Sequence, residues 1–280
     1  MQGAPAEGEG RSPDLRNPRL KIVRAKEHLD ALDAELRTFY DSGACVMTTE
    51  AYPDQEAYVL RLRMKPPPPR LGLLAGDVFY CLRSALDQLA WQLALLTTDD
   101  PYRLTEFPVF SVDNADTQQQ IRRATQDIPP LAVEQIKLLQ PYHSGEAYKD
   151  DPLWQLNRLC NIDKHRLIPV HSMFAEFHVP VVPGLSPQRL TNGDFIIVLP
   201  PSMKEQMERA PRPRAGVAFG SQSEGVAIDP EGLSRICKHV QENVIPRFVP
   251  FLPDIAGVRQ DSDQAAATEA AHNKDGKQQC

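Results

Sequence analysis

Apolar residues recur every three or four positions over 20–40, where Ile22, Ala25, Leu29, Leu32, Leu36 and Phe39 form one stripe. Asp30, Asp33, Glu35 and Arg37 take other directions, so the spacing predicts an amphipathic helix, ended by Gly43. A hairpin is expected next, 44–50 against 57–64, turning around Pro53-Asp54. Its second strand alternates, with Tyr58, Leu60, Leu62 and Met64 on one face and Arg61, Arg63 and Lys65 on a solvated basic face. Pro66-Pro67-Pro68-Pro69 then imposes an extended, rigid spacer.

The strongest pattern follows over 77–97. At 100° per residue, Val78, Leu82, Ala85, Leu86, Leu89, Leu93 and Leu96 gather on one side, and Asp77, Tyr80, Arg83, Ser84, Asp87, Gln88 and Trp91 on the other. Phe107-Pro-Val-Phe110 reads as a short strand, followed by helices near 116–125 and 130–139, the second opened by Pro129-Pro130. A further helix starts at Asp151 or Pro152 and carries Trp154, Leu156, Leu159 and Ile162. Strands are expected at 173–182, 194–199, 215–219 and 226–228. Asp229-Pro230-Glu231 is a helix opening: a capping carboxylate, Pro in the first turn, and an acid at the positive dipole end. Leu233, Ile236, Val240 and Val244 supply its stripe before Pro246 interrupts it.

Helices and antiparallel hairpins alternate without a βαβ period, so the expected class is α+β, with long amphipathic helices in a bundle-like core packed against antiparallel strands. Residues 1–17 and 257–280 lack apolar periodicity and are expected to be disordered tails around a single domain at 18–256. The 280 residues suffice for a sizeable core. With 31 Lys plus Arg against 37 Asp plus Glu the net charge is -6, which disfavours a broad nucleic-acid-coating surface. No secretory signal or membrane span is evident. The five cysteines, at 45, 81, 160, 237 and 280, are odd in number and form no CxxC, which fits a reducing, cytoplasmic setting.

Chemistry concentrates in Leu153–Arg166. On a continuing helix Trp154, Arg158, Asn161 and His165 lie within about 60° of one another. An imidazole that exchanges protons near neutrality beside a guanidinium that holds phosphate oxygens is a plausible constellation for metal-independent RNA cleavage. The structural alternative makes Arg158, Asn161 and His165 helix-tying groups. Arg83 precedes Asp87 by one turn, the weaker order for an isolated helical ion pair. Both are therefore expected to find partners on the 154–166 helix. Arg83, Asp87, Asn161 and His165 would form an interhelical polar network, with Asp77, Asp163 and Lys164 as further members. Asp163 points away from the Arg158/His165 face. Tyr80, Trp91 and Trp154 are candidate aromatics of a small-molecule pocket. No metal or cofactor is expected: HExxH, GxGxxG, the P-loop and GxSxG are all missing, His171 and His178 could help only if the strand after them folds back, and His28, His143, His239 and His272 are scattered.

Two segments carry a resemblance: Gly76-Asp-Val-Phe-Tyr-Cys-Leu-Arg-Ser-Ala-Leu-Asp-Gln-Leu-Ala-Trp91 and Leu159-Cys-Asn-Ile-Asp-Lys-His-Arg166. They resemble a bacterial family, common in actinobacteria and of no settled activity, marked by a GD…LRSALDxL helix and a later NIDKHR. The likeness runs over about 18–250, through the FPVF stretch and the Leu139-Gln-Pro-Tyr142 turn. Its members have His where this chain has Gln88. The chain also resembles HEPN-type ribonucleases and toxins, which use Arg and His with four to six residues between them on a helix. Gln88 cannot serve as the acid or base after Arg83, whereas Arg158 and His165 retain both groups. That resemblance implies a dimeric helical nuclease acting on RNA in a bacterial cytosol, with the β segments as additions. Three readings follow: a structural, interaction or regulatory protein held by its polar network, a ribonuclease, and a small-molecule-binding protein. Partners are unassigned apart from the homodimer and the RNA that the HEPN resemblance implies.

Overall fold

In the computed structural model, which describes residues 12–52, 57–176, 188–189, 195–203, 205, 209 and 214–252, an antiparallel helix pair carries the core. Helix α1 (Arg16–Asp41) buries Ile22, Ala25, Leu32, Leu36 and Phe39, the predicted stripe. Leu15, just before it, is fully buried. Gly43, at φ +74°, supplies the left-handed turn out of the helix.

Helix α2 (Pro69–Ala94) begins eight residues before the predicted start. Pro66–Pro68 stay outside the helix, Pro68 extended at φ -64° and ψ 140°, and Pro69 takes the first helical position, where its missing N–H costs nothing. Gly72 and Gly76 lie inside the helix because other elements press on them. A Cβ on Gly72 would sit 2.7 Å from the Ile168 carbonyl oxygen, and one on Gly76 would sit 2.4 Å from Asp163 Oδ1. Most of α2 is buried around its circumference, from Leu71 to Ala94, which makes it the central helix. Leu96 is the exception to the predicted apolar side: it follows the helix end and is exposed.

Helices α3 (Ala115–Ala124) and α4 (Pro130–Leu138) agree with expectation. Two short 3-10 turns within Pro141–Asp150, separated by a kink at Gly145, lead to α5 (Pro152–Asp163), capped by Asp151, whose side chain accepts from the N–H groups of Leu153 and Trp154. Helix α6 (Pro230–His239) is capped by Asp229 onto Gly232 N at 2.7 Å, then relaxes into a π turn (Val240–Val244) and a 3-10 turn (Ile245–Phe248). Buried residues from α1, α2, α4, α5, α6 and the second sheet join in one cluster.

Two antiparallel sheets flank the helices. The first has the order β1-β2-β5-β4, with β1 (Cys45–Tyr52), β2 (Ala57–Met64), β4 (Gln188–Arg189) and β5 (Phe195–Leu199). Leu60 and Leu62 of β2 are buried, as the alternation predicted, with Met64 half-buried, and Ile197 and Leu199 of β5 are buried beside them. The second has the order β3-β6-β7, with β3 (Val170–Glu176), β6 (Arg214–Ser221) and β7 (Val226–Ile228). The fold is therefore α+β, a helical core with two small antiparallel sheets. Among the described residues no helix is long and apolar enough to cross a membrane. The hairpin turn at 53–54, the end of the 173–182 strand, His178, His272 and the chain ends 1–11 and 253–280 lie outside the described residues.

Candidate functional site

Phe107–Phe110 has the sequence of a strand but is not one: its backbone is held by side chains instead. Arg83 Nη2 donates to the Phe107 carbonyl at 2.7 Å, and Phe107 N–H donates to Asp87 Oδ1 at 3.2 Å. Gln140, buried to 2% exposure, donates from Nε2 to the Pro108 carbonyl at 2.8 Å and accepts from Phe110 N–H at 2.9 Å. Aromatic and β-branched residues made this stretch read as a strand, but backbone bonding satisfied from side chains removes the need for a ladder partner.

Arg83 and Asp87 bond one another directly. Nε reaches Asp87 Oδ2 at 3.2 Å and Nη2 reaches Oδ1 at 2.7 Å, while Glu106 lies 4.0 Å from Nη2. Partners on the 154–166 helix were expected, and this is corrected. Helical order matters little once the pair is shielded, because the Phe107 N–H and C=O bracket both side chains. The Arg83 side chain is 10% exposed against 38% for Asp87. Arg83 Nη1 is buried and has no acceptor among the described residues.

Above this lock lies an open cleft of about 330 Å³ between α2 and the end of α5. Helix α2 supplies Tyr80, Arg83, Ser84, Asp87, Gln88 and Trp91, which is the polar side predicted from its periodicity apart from Asp77. Cys160 and Lys164 come from the α5 side. Tyr80 and Trp91 are 57% and 38% exposed, eleven residues and so about 16 Å apart along the helix. The Lys21 ammonium of α1 stands 5.6 Å from the Tyr80 ring centre. Gln88 Nε2 meets Ser84 Oγ at 3.5 Å, a long contact, and Lys164 Nζ meets Asn161 Oδ1 at 3.4 Å. Burial pushes the Cys160 thiol pKa up, so it stays protonated near neutrality.

The other predicted residues separate. Helix α5 stops at Asp163, with Lys164 as its cap, and His165 lies in the turn that follows. Arg158, Asn161 and His165 are all exposed. Arg158 Nε donates to the Glu224 carbonyl at 3.3 Å, and Arg166 forms an ion pair with the Glu224 carboxylate. The expected four-membered network thus reduces to the Arg83–Asp87 pair. Asn161 instead contacts Lys164. Trp154 does not line this cleft: it packs on the core and meets Tyr148 edge-on, centroids 5.4 Å apart at 80°.

Polar links do join helices elsewhere. Arg70 of α2 meets Glu35 of α1 at 3.3 Å, and Asp77 lies 3.7 Å from His28 Nδ1. The Asp163 carboxylate rests against Gly76, and its pKa is raised, first by burial and then by the nearby Asp77 charge. Among the described residues no group of three His, Cys, Asp or Glu side chains is placed to hold a metal ion. Sequence reasoning missed the roles of Phe107, Gln140 and Cys160. The Gln140 role had one signal, a Gln directly before Pro141 at a helix end, and Phe107 had none because it acts through its backbone. No protein-family model matches the chain, and neither the curated proteins nor the solved structures contain a match to it.

Proposed function

We propose that the chain is a ligand-binding protein, with a structural or regulatory output, whose site is the α2–α5 cleft. The observation that carries the reading is the pairing of two solvent-facing aromatics, Tyr80 and Trp91, with a floor made rigid by the buried Arg83–Asp87–Phe107 lock. An exposed aromatic on a fixed wall presents apolar area at small ordering cost, which is how small-molecule sites are built. The lining favours binding over catalysis. It holds no imidazole, its one carboxylate is engaged by Arg83 and Phe107, and its thiol is held protonated. The ribonuclease reading gains no support from the cleft, since neither Arg158 nor His165 lines it.

The test is a thermal-shift screen of chemically mixed fragments on the wild type and on Trp91→Ala. Trp91 is partly exposed, so its removal leaves the core intact. The proposal expects fragments that stabilise the wild type and lose that effect on Trp91→Ala. Fragments that stabilise both proteins equally, or no stabilising fragment at all, would refute it.

A further inference from the structure

We infer that the ligand of this cleft is a small aromatic anion, a carboxylate or phosphate monoester carried on a planar apolar body. The inference rests on the reading of the cleft as the ligand site. Its lining carries two cations, Arg83 and Lys164, against one carboxylate, Asp87, in a chain whose net charge is -6. Asp87 does not offer its charge to a ligand, because Arg83 Nε, Arg83 Nη2 and the Phe107 N–H occupy its oxygens. Lys164 has no such neutralisation: its hydrogen bond goes to the neutral Asn161 amide, at 3.4 Å. The Arg83 and Asp87 charges offset one another, so what Arg83 adds is a nine-tenths buried guanidinium whose Nη1 donor lacks an acceptor among the described residues. A buried donor left without an acceptor gains by meeting an anion's oxygen.

Nearby acids do not reverse this balance. Asp77, one turn before Tyr80, faces His28, and Asp163 rests on Gly76; neither lines the cleft. Lys21 over the Tyr80 ring extends the positive rim from the α1 side. The planar body follows from the aromatics. Tyr80 and Trp91 are too far apart to sandwich one ring, so a single ring stacks on one of them. Ser84 and Gln88, joined only by a 3.5 Å contact, are free to bond the ligand between the two.

The experiment uses the full chain carrying Trp154→Phe, which leaves Trp91 as the sole indole reporter, since the chain has 2 Trp. Benzoate, phenyl phosphate, benzyl alcohol and benzylamine are titrated to about 10 mM, the range in which fragments of this size bind. Trp91 emission and melting temperature are read together. Benzoate and phenyl phosphate are expected to shift both, with the alcohol about tenfold weaker and the amine weaker still. Added salt is expected to weaken the anions. Lys164→Gln, at an exposed position that leaves the core untouched, is expected to lose about tenfold in anion affinity, and Lys164→Arg to recover it.

If benzyl alcohol or benzylamine binds as tightly as benzoate while Trp91 responds, the anion class is wrong and the cleft stands as a ligand site. Anion binding that Lys164→Gln leaves unchanged overturns the inference as well. If no probe moves Trp91 emission or the melting temperature, both the inference and the underlying reading fall.

Discussion

Removing Asp87 should damage this protein more than removing Arg83, although the two form one pair. Asp87→Ala takes the acceptor from Arg83 Nε and Nη2 and from the Phe107 N–H, and strands a guanidinium whose side chain is only 10% exposed. Breaking a buried pair in this way costs roughly 3–5 kcal/mol. The Phe107 carbonyl still accepts from Nη2, and Glu106 lies 4.0 Å away, so the lower end of that range, about 3 kcal/mol, applies here. Arg83→Met keeps much of the apolar stem and leaves Asp87, 38% exposed, within reach of water. Its main cost is the Phe107 carbonyl without a donor, about 1–3 kcal/mol. The double variant buries no unpaired charge and should cost no more than Asp87→Ala alone, which gives a coupling of about 2 kcal/mol between the sites. Urea unfolding of the four proteins, followed by far-UV circular dichroism, measures all three quantities at equal m-values. Strictly additive single variants, or an Asp87→Ala protein within about 0.5 kcal/mol of wild type, would refute the lock.

Two further outcomes follow from the packing around α2. Gly72→Ala gains about 1 kcal/mol of helix propensity but places Cβ 2.7 Å from the Ile168 carbonyl oxygen, and overpacking of about 1–3 kcal/mol outweighs it; a melting temperature above wild type would contradict that close approach. Asp163→Asn should stabilise the protein at neutral pH, because the folded state disfavours the charged form through burial and the Asp77 charge. The folded pKa is raised, so the gain is present above it and disappears as pH falls through it, where wild-type Asp163 becomes protonated. Relief of an anion at the C-terminus of α5 adds about 0.5 kcal/mol in the same direction. Thermal melts at pH 7 and pH 4 check the sign, and a gain that persists unchanged into acid would count against it.

Local chemistry was legible where one residue decides the backbone. Asp229-Pro230 announced α6 to the residue, and Ile22, Leu32, Leu36 and Phe39 announced the buried face of α1. The polar face of α2 was legible too, and it supplies six residues of the cleft. What failed depended on distant partners. The start of α2 was hidden because two glycines that weaken a helix are there to admit Ile168 and Asp163. Phe107–Phe110 looked like a strand because nothing local shows that Arg83, Asp87 and Gln140 hold its backbone. The helical period over 154–166 does not reveal that α5 ends at Asp163 and leaves His165 in the turn after it. Periodicity carries no information about the turn at which it ends.

The central claim is that Trp91 belongs to the ligand site and Trp154 to the core. Isotope-labelled protein titrated with the tightest-binding fragment, observed through indole and backbone N–H resonances, addresses it directly. The account predicts that the Trp91 indole and the amides of Tyr80, Ser84, Gln88 and Lys164 move together along one binding curve while the Trp154 indole stays in place. A Trp154 indole that moves as far as that of Trp91, or a response centred on Arg158 and His165, would contradict it.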